Sequence, residues 1–122
     1  MTPDQLKART RKFALGLIQL TRTLPPDPVT REISLQLVRS AMSVAANYRA
    51  SCRARSTAEF LAKLGVVEEE ADETVLWLEI LVEDEAAARE RIAPYLEEAD
   101  QLVRIVVASI KTARLNAVRR KS

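Results

Sequence analysis

The chain contains no histidine. It therefore lacks the side chain that most readily exchanges a proton near neutral pH, and it cannot build the Glu-x-x-His pairs of di-iron bundles. Its one cysteine, Cys52, excludes an internal disulfide and fits a reducing compartment, so a cytoplasmic location is expected. Arg49 and Arg53 flank that thiol, but no histidine or aspartate accompanies it, and it reads as inert. The only glycines, Gly16 and Gly65, stand alone inside helical patterns, so no glycine-rich phosphate loop is present. Aromatic residues are 4% of the chain, which leaves little to stack bases on. No apolar run approaches the roughly 18 residues of a membrane span, and the opening MTPDQLKART is too polar for a secretory signal. The one carboxylate cluster, Glu68 to Glu73, reads as a solvated helix face. Neither catalysis, a cofactor nor a metal is expected.

What is present is helix. The 122 residues are 48% hydrophobic and 30% charged, a globular balance for one domain, and Ala, Leu, Val, Glu and Arg dominate. Thr2-Pro3-Asp4-Gln5 combines a cap, a proline suited to the first helical position and a capping-box glutamine. Leu6, Thr10, Phe13, Leu17, Leu20 and Leu24 then recur at spacings of four and three, one face of a helix over 3–24. Leu24-Pro25-Pro26-Asp27-Pro28 is the clearest break. A second helix over 28–53 has the inner face Ile33, Leu37, Ala41, Val44 and Tyr48, with small residues that admit a close neighbour. Asn47 reads as a buried amide fixing the turn that follows.

Ser56-Thr57-Ala58-Glu59 is a capping box for a third helix over 56–83, with the face Phe60, Leu64, Val67, Ala71, Thr74, Leu78 and Leu81. From Val75 to Val82 this helix is apolar on nearly every side, and Leu76, Trp77 and Ile80 point away from the seam. Such a helix is covered on every side, so these three residues are assigned to an interface between copies. A fourth helix over 88–117 carries Ile92, Leu96, Ala99, Val103, Val106, Ile110, Ala113 and Ala117, with a tail expected to fray from about 117. The fold class expected over 1–122 is an all-α, up-down-up-down antiparallel four-helix bundle.

Charge runs in blocks. Residues 1–58 carry net +7, residues 59–100 net −11 and residues 101–122 net +6. An up-down bundle gathers the start of helix one, the turn between helices two and three and the end of helix four. Twelve of the nineteen basic residues then meet at one end. Arg9, Lys12, Arg49, Arg53, Arg55, Lys63 and Arg114 are the candidate contacts for an RNA or DNA backbone. The alternatives are a solvated surface, or a scaffold that recruits a protein partner and binds no nucleic acid.

Residues 34–81, SLQLVRSAMSVAANYRASCRARSTAEFLAKLGVVEEEADETVLWLEIL, resemble the bacterial family of large-subunit ribosomal RNA intervening-sequence proteins. Asn47, Arg55, Ser56, Glu59 and Phe60 match its signature; Tyr48-Arg49 and Ala50-Ser51 replace the Ile-Ala and Glu-Gly usual there. The resemblance covers roughly residues 6–115. It implies a four-helix bundle and a homopentameric barrel. One branch resembles the accessory protein of diversity-generating retroelements, which implies nucleic acid and a reverse transcriptase as partners.

Overall fold

The computed structural model describes residues 1–121. It contains four helices and, among the described residues, no strand: α1 Pro3–Thr21, α2 Pro28–Ser51, α3 Thr57–Glu83 and α4 Arg89–Lys121. Each of the first three starts on the cap visible in the sequence. The Thr2 hydroxyl accepts from Gln5 N at 3.1 Å, and Gln5 Oε1 accepts from Thr2 N at 2.9 Å. Asp27 accepts from both the amide and the hydroxyl of Thr30, at 2.9 and 2.8 Å. These bonds hold the Asp27 carboxyl below its usual pKa. Ser56 caps the amide of Glu59 at 3.0 Å, but the Glu59 carboxylate reaches back to Arg55 N, one residue before the cap.

The expected inner faces are the core. Leu17, Leu37, Leu64, Leu78, Leu81 and Ile92 are fully buried, and the cluster runs through all four helices. Neighbours in sequence pack together, α1 with α2, α2 with α3 and α3 with α4; α4 closes the square against α1, the pair that approaches least closely. The topology is up-down-up-down. Between α2 and α3 the buried hydroxyls of Ser40 and Thr74 lie 2.8 Å apart. Each also reaches a carbonyl of its own helix, Leu37 O and Glu70 O. Every hydroxyl thus has a partner at a contact narrow enough to need small side chains.

Several boundaries differ from the sequence reading. α1 stops at Thr21 and α2 at Ser51, each short of the expected end. Asn47 lies inside α2 rather than at its turn; it is half-buried and donates to the carbonyl and hydroxyl of Ser43, both at 2.9 Å. On α4 the buried residue is Leu102, with Val103 half-buried, because a 3.6-residue turn drifts off a strict four-three pattern. α4 continues through the segment expected to fray, as far as Lys121. No glycine or proline follows Pro94 in it, and Arg119, Arg120 and Lys121 sit where the helix dipole favours cations.

The glycine-free link from α3 to α4 closes with a Schellman motif. Ala86 N donates to Leu81 O at 2.9 Å and Glu85 N to Val82 O at 3.0 Å. Glu85 occupies the left-handed position at φ 61°, where a side chain is strained. The two native glycines differ in surroundings. A Cβ at Gly65 would meet nothing within 4 Å, whereas one at Gly16 would lie 3.1 Å from Tyr95 Cε1. Gly65→Ala and Glu85→Gly are each expected to stabilise the bundle by about 0.5–1 kcal/mol, measured by urea denaturation. Gly16→Ala is expected to gain less than Gly65→Ala, because the Tyr95 ring must move.

Candidate nucleic-acid interface

The α2–α3 turn is tight. Arg53 N donates to Ala50 O and Ala54 N to Ser51 O, at 3.0 and 3.2 Å, while the buried Ser51 hydroxyl donates to Tyr48 O at 2.6 Å. Arg49 on the last turn of α2 and Arg53 in the turn beyond it therefore lie on the same side. Two grooves flank that side. The first, about 720 Å³, lies between α1 and α2; Lys7, Arg11, Lys12, Arg49 and Arg53 surround a floor of Leu15, Ala45 and Ala46. The second, about 440 Å³, lies between α2 and α3 and is lined by Arg49, Arg53, Arg55, Lys63 and Glu59. Arg49 and Arg53 belong to both, so the cationic surface is continuous across α2.

Few of these charges are neutralised internally. The ion pairs among the described residues are Lys7–Asp4 at 3.3 Å, Arg9–Glu98 at 2.6 Å and Arg104–Asp100 at 3.0 Å. None includes Arg11, Lys12, Arg49, Arg53, Arg55, Lys63 or Arg114. Glu59, the one acid in the second groove, is partly engaged by the amide of Arg55.

Arg9 departs from the expected role. Its Nε and Nη2 donate to both oxygens of Glu98, at 2.7 and 2.6 Å, and Nη2 also reaches Gln101 Oε1 at 2.6 Å. The Glu98 bond raises the guanidinium pKa further. This fork joins α1 to α4, so Arg9 is a brace and not an open contact. Arg114 is exposed but lines neither groove. The structure brings together Lys12, Arg49, Arg53, Arg55 and Lys63. It adds Lys7 and Arg11, which sequence reasoning left out of the candidate set; their i,i+4 spacing on the face of Ala8 and Leu15 was the available signal.

A third opening, about 680 Å³, lies at the extreme end between the α2–α3 turn and α4, with Tyr48, Ser51, Cys52, Arg55 and Arg120 on its walls. Burial and then the neighbouring Cys52 push the Tyr48 hydroxyl pKa up, so it stays protonated. The aromatics offer this end little ring surface: Phe13 and Tyr48 are buried, and Phe60, half-buried against the core, shows only part of its ring at this opening. The opposite end exposes Asp27, Glu32, Glu83, Asp84, Glu85 and Glu90. Among the described residues no three His, Cys, Asp or Glu side chains converge to hold a metal, and no helix is long and apolar enough to cross a membrane.

The family profile described as 23S rRNA-intervening sequence protein matches residues 5–108. The chain belongs to that family. A crystal structure of a protein of unknown function from the S23 ribosomal protein family, from Bacteroides thetaiotaomicron, is 30% identical. It superposes with a TM-score of 0.81 over 86% of this chain and 97% of its own. No curated protein matches. The family is one of unknown function and is not a known enzyme family, so its membership secures the all-α bundle and leaves the use of the basic end to be argued from chemistry.

Glu70 provides a pH test of the acidic stretch. Burial, and then Glu73, raise its carboxyl pKa above the ordinary 4.5, with Arg39 opposing. A raised carboxyl pKa penalises the folded state once the group ionises. The penalty is absent at pH well below 4.5 and grows as pH rises through the shifted value. Glu70→Gln is expected to raise Tm slightly at neutral pH, with the gain vanishing in acid. Arg9→Ala, which leaves Glu98 unpaired, is expected to cost about 1 kcal/mol by urea denaturation.

Proposed function

We propose that this protein is a non-enzymatic, oligomeric bundle that binds nucleic-acid backbone through its basic end. The observation that carries the reading is the pair of grooves sharing Arg49 and Arg53, whose cations are almost free of internal ion pairs. Unpaired cations lining a concave surface repel one another and attract a polyanion. Phosphates spaced along a strand meet several of them at once and release counterions in doing so. The contacts are Lys7, Arg11, Lys12, Arg49, Arg53, Arg55 and Lys63. Arg9 supports them indirectly by bracing α1 against α4.

Self-association complements this role. Leu76 on α3 is 48% exposed, with Trp77 and Ile80 half-buried beside it, and the indole Nε1 of Trp77 is buried without a partner. On α2, Leu35, Arg39 and Met42 form an exposed stripe, Leu35 at 60% and Met42 at 48%. The Ser40–Thr74 contact sets the two stripes at the same height. The α2 stripe of one copy therefore suits Glu73, Leu76 and Ile80 of the next, apolar to apolar and Arg39 to Glu73. Such a contact joins two different faces, and copies joined that way close into a ring when the rotation between neighbours divides a full turn. A homopentamer is the number the family resemblance implies. Parallel copies would present every basic end on one side and multiply weak phosphate contacts. The exposed Leu35, Met42 and Leu76 also support a second reading, a scaffold that recruits a protein such as a reverse transcriptase without touching nucleic acid.

Replacing Arg49, Arg53 and Arg55 together by Gln is expected to weaken binding to all sequences alike. The slope of log affinity against log salt should flatten by about 0.9 for each duplex-DNA phosphate that the variant no longer neutralises. Circular dichroism should show an unchanged fold. Wild-type protein that retards neither RNA nor DNA at low salt would leave the scaffold reading in place. Trp77→Glu is expected to lower the mass seen by light scattering, because it puts a charge into a dry contact.

A further inference from the structure

α4 extends well beyond the core. Its last buried side chain is Ile110, and the helix continues to Lys121, about 16 Å further. Over that length only Ala113 and Ala117 are half-buried; every other described residue is exposed. The two alanines face the opening above the α2–α3 turn. The rest of the surface carries Lys111, Arg114, Arg119, Arg120 and Lys121, with Leu115 at 58% and Val118 at 64% exposure among them. No Asp or Glu follows Asp100 in the chain, and none of these five cations has an ion pair among the described residues.

We infer that the nucleic acid is double-stranded DNA, and that this projecting end of α4 lies in its major groove while the turn cations hold neighbouring phosphates. The inference rests on the proposed function and names its substrate class. Three observations select duplex DNA. Single strands are held by stacking successive bases on open aromatic rings, and this end offers only the half-buried Phe60. A helix with side chains is about 10–12 Å across, which matches the major groove of B-form DNA at about 12 Å. The A-form major groove of duplex RNA is too narrow and deep for side chains to read. Finally, Leu115 and Val118 suit contact with thymine methyl groups, whereas two aliphatic side chains are too few to hold a helix in a lipid interface. The helix meets the groove side-on, because its C-terminal carbonyls carry negative partial charge and would repel phosphate head-on.

The test is fluorescence anisotropy with a labelled DNA duplex, its single strand and an RNA duplex of the same sequence, at matched salt. The wild type is expected to bind duplex DNA about tenfold more tightly than either alternative. The variant R114Q/R119Q/R120Q/K121Q should lose that preference while keeping weaker binding to all three through the α2–α3 turn. These positions lie outside the core, so the thermal melt should not change; R119Q/R120Q is the milder variant if it does. Equal affinity for the three nucleic acids, or a preference that survives the α4 variant, would overturn this inference and leave the basic-end reading standing. Tighter binding to anionic phosphatidylserine vesicles than to duplex DNA would overturn it in favour of a lipid surface. No binding to any nucleic acid would overturn both.

Discussion

The close approach of α2 and α3 sets the rest of the molecule. Ser40, Ala41 and Ala71 are fully or almost fully buried, and with Thr74 they let the two backbones pack tightly. The Ser40–Thr74 hydroxyl contact is the only buried polar link across that seam among the described residues, and a slip of one turn would break it, leaving each hydroxyl only the carbonyl of its own helix. The register so defined places the α2–α3 turn, and with it Arg49, Arg53, Arg55 and Lys63, at one end of the molecule. It also places the exposed stripes of the two helices at a common height.

Against this tight seam stands a loose one. α1 and α4 approach least, and polar contacts do much of the joining: the Arg9–Glu98 fork, the Tyr95 hydroxyl on Gly16 O at 3.3 Å, and Arg91 donating to the Thr23 hydroxyl. The bundle is thus asymmetric, held by apolar packing on three seams and assisted by polar bonds on the fourth. This explains why one of the most inward-looking arginines of the basic end is unavailable to a ligand. The acidic residues of α3 and α4 do not neutralise the basic end in general. They reach it at Arg9, through Glu98, and at Glu59 in the second groove.

Separation of charge along the bundle axis has a cost. Like charges crowd at the basic end, whereas the opposite end mixes its acids with Arg22, Arg31, Arg89 and Arg91; helix dipoles cannot offset the crowding, since each end holds two N-termini and two C-termini. A chain optimised for stability alone would intersperse the signs. Concentrating unpaired cations on grooves and on a projecting helix fits a surface whose counter-charge comes from outside.

Much of the fold was legible in the linear chain. The caps at Thr2, Asp27 and Ser56 and the four-three spacing of apolar residues determined four helices and their inner faces, because both signals act within a few residues. Block charge together with up-down topology placed the basic end. Local signals could not show that Glu85, and not a glycine, takes the left-handed cap. Nor could they show that α4 outruns the bundle, since that depends on where the other three helices stop. The fate of each arginine was the part left to tertiary structure. Arg9 and Arg49 look alike in sequence, yet Glu98 and Gln101, some ninety residues away, take the first, and no acid among the described residues pairs with the second. A charge is available only if no distant segment supplies its partner, and folding alone decides which segments meet.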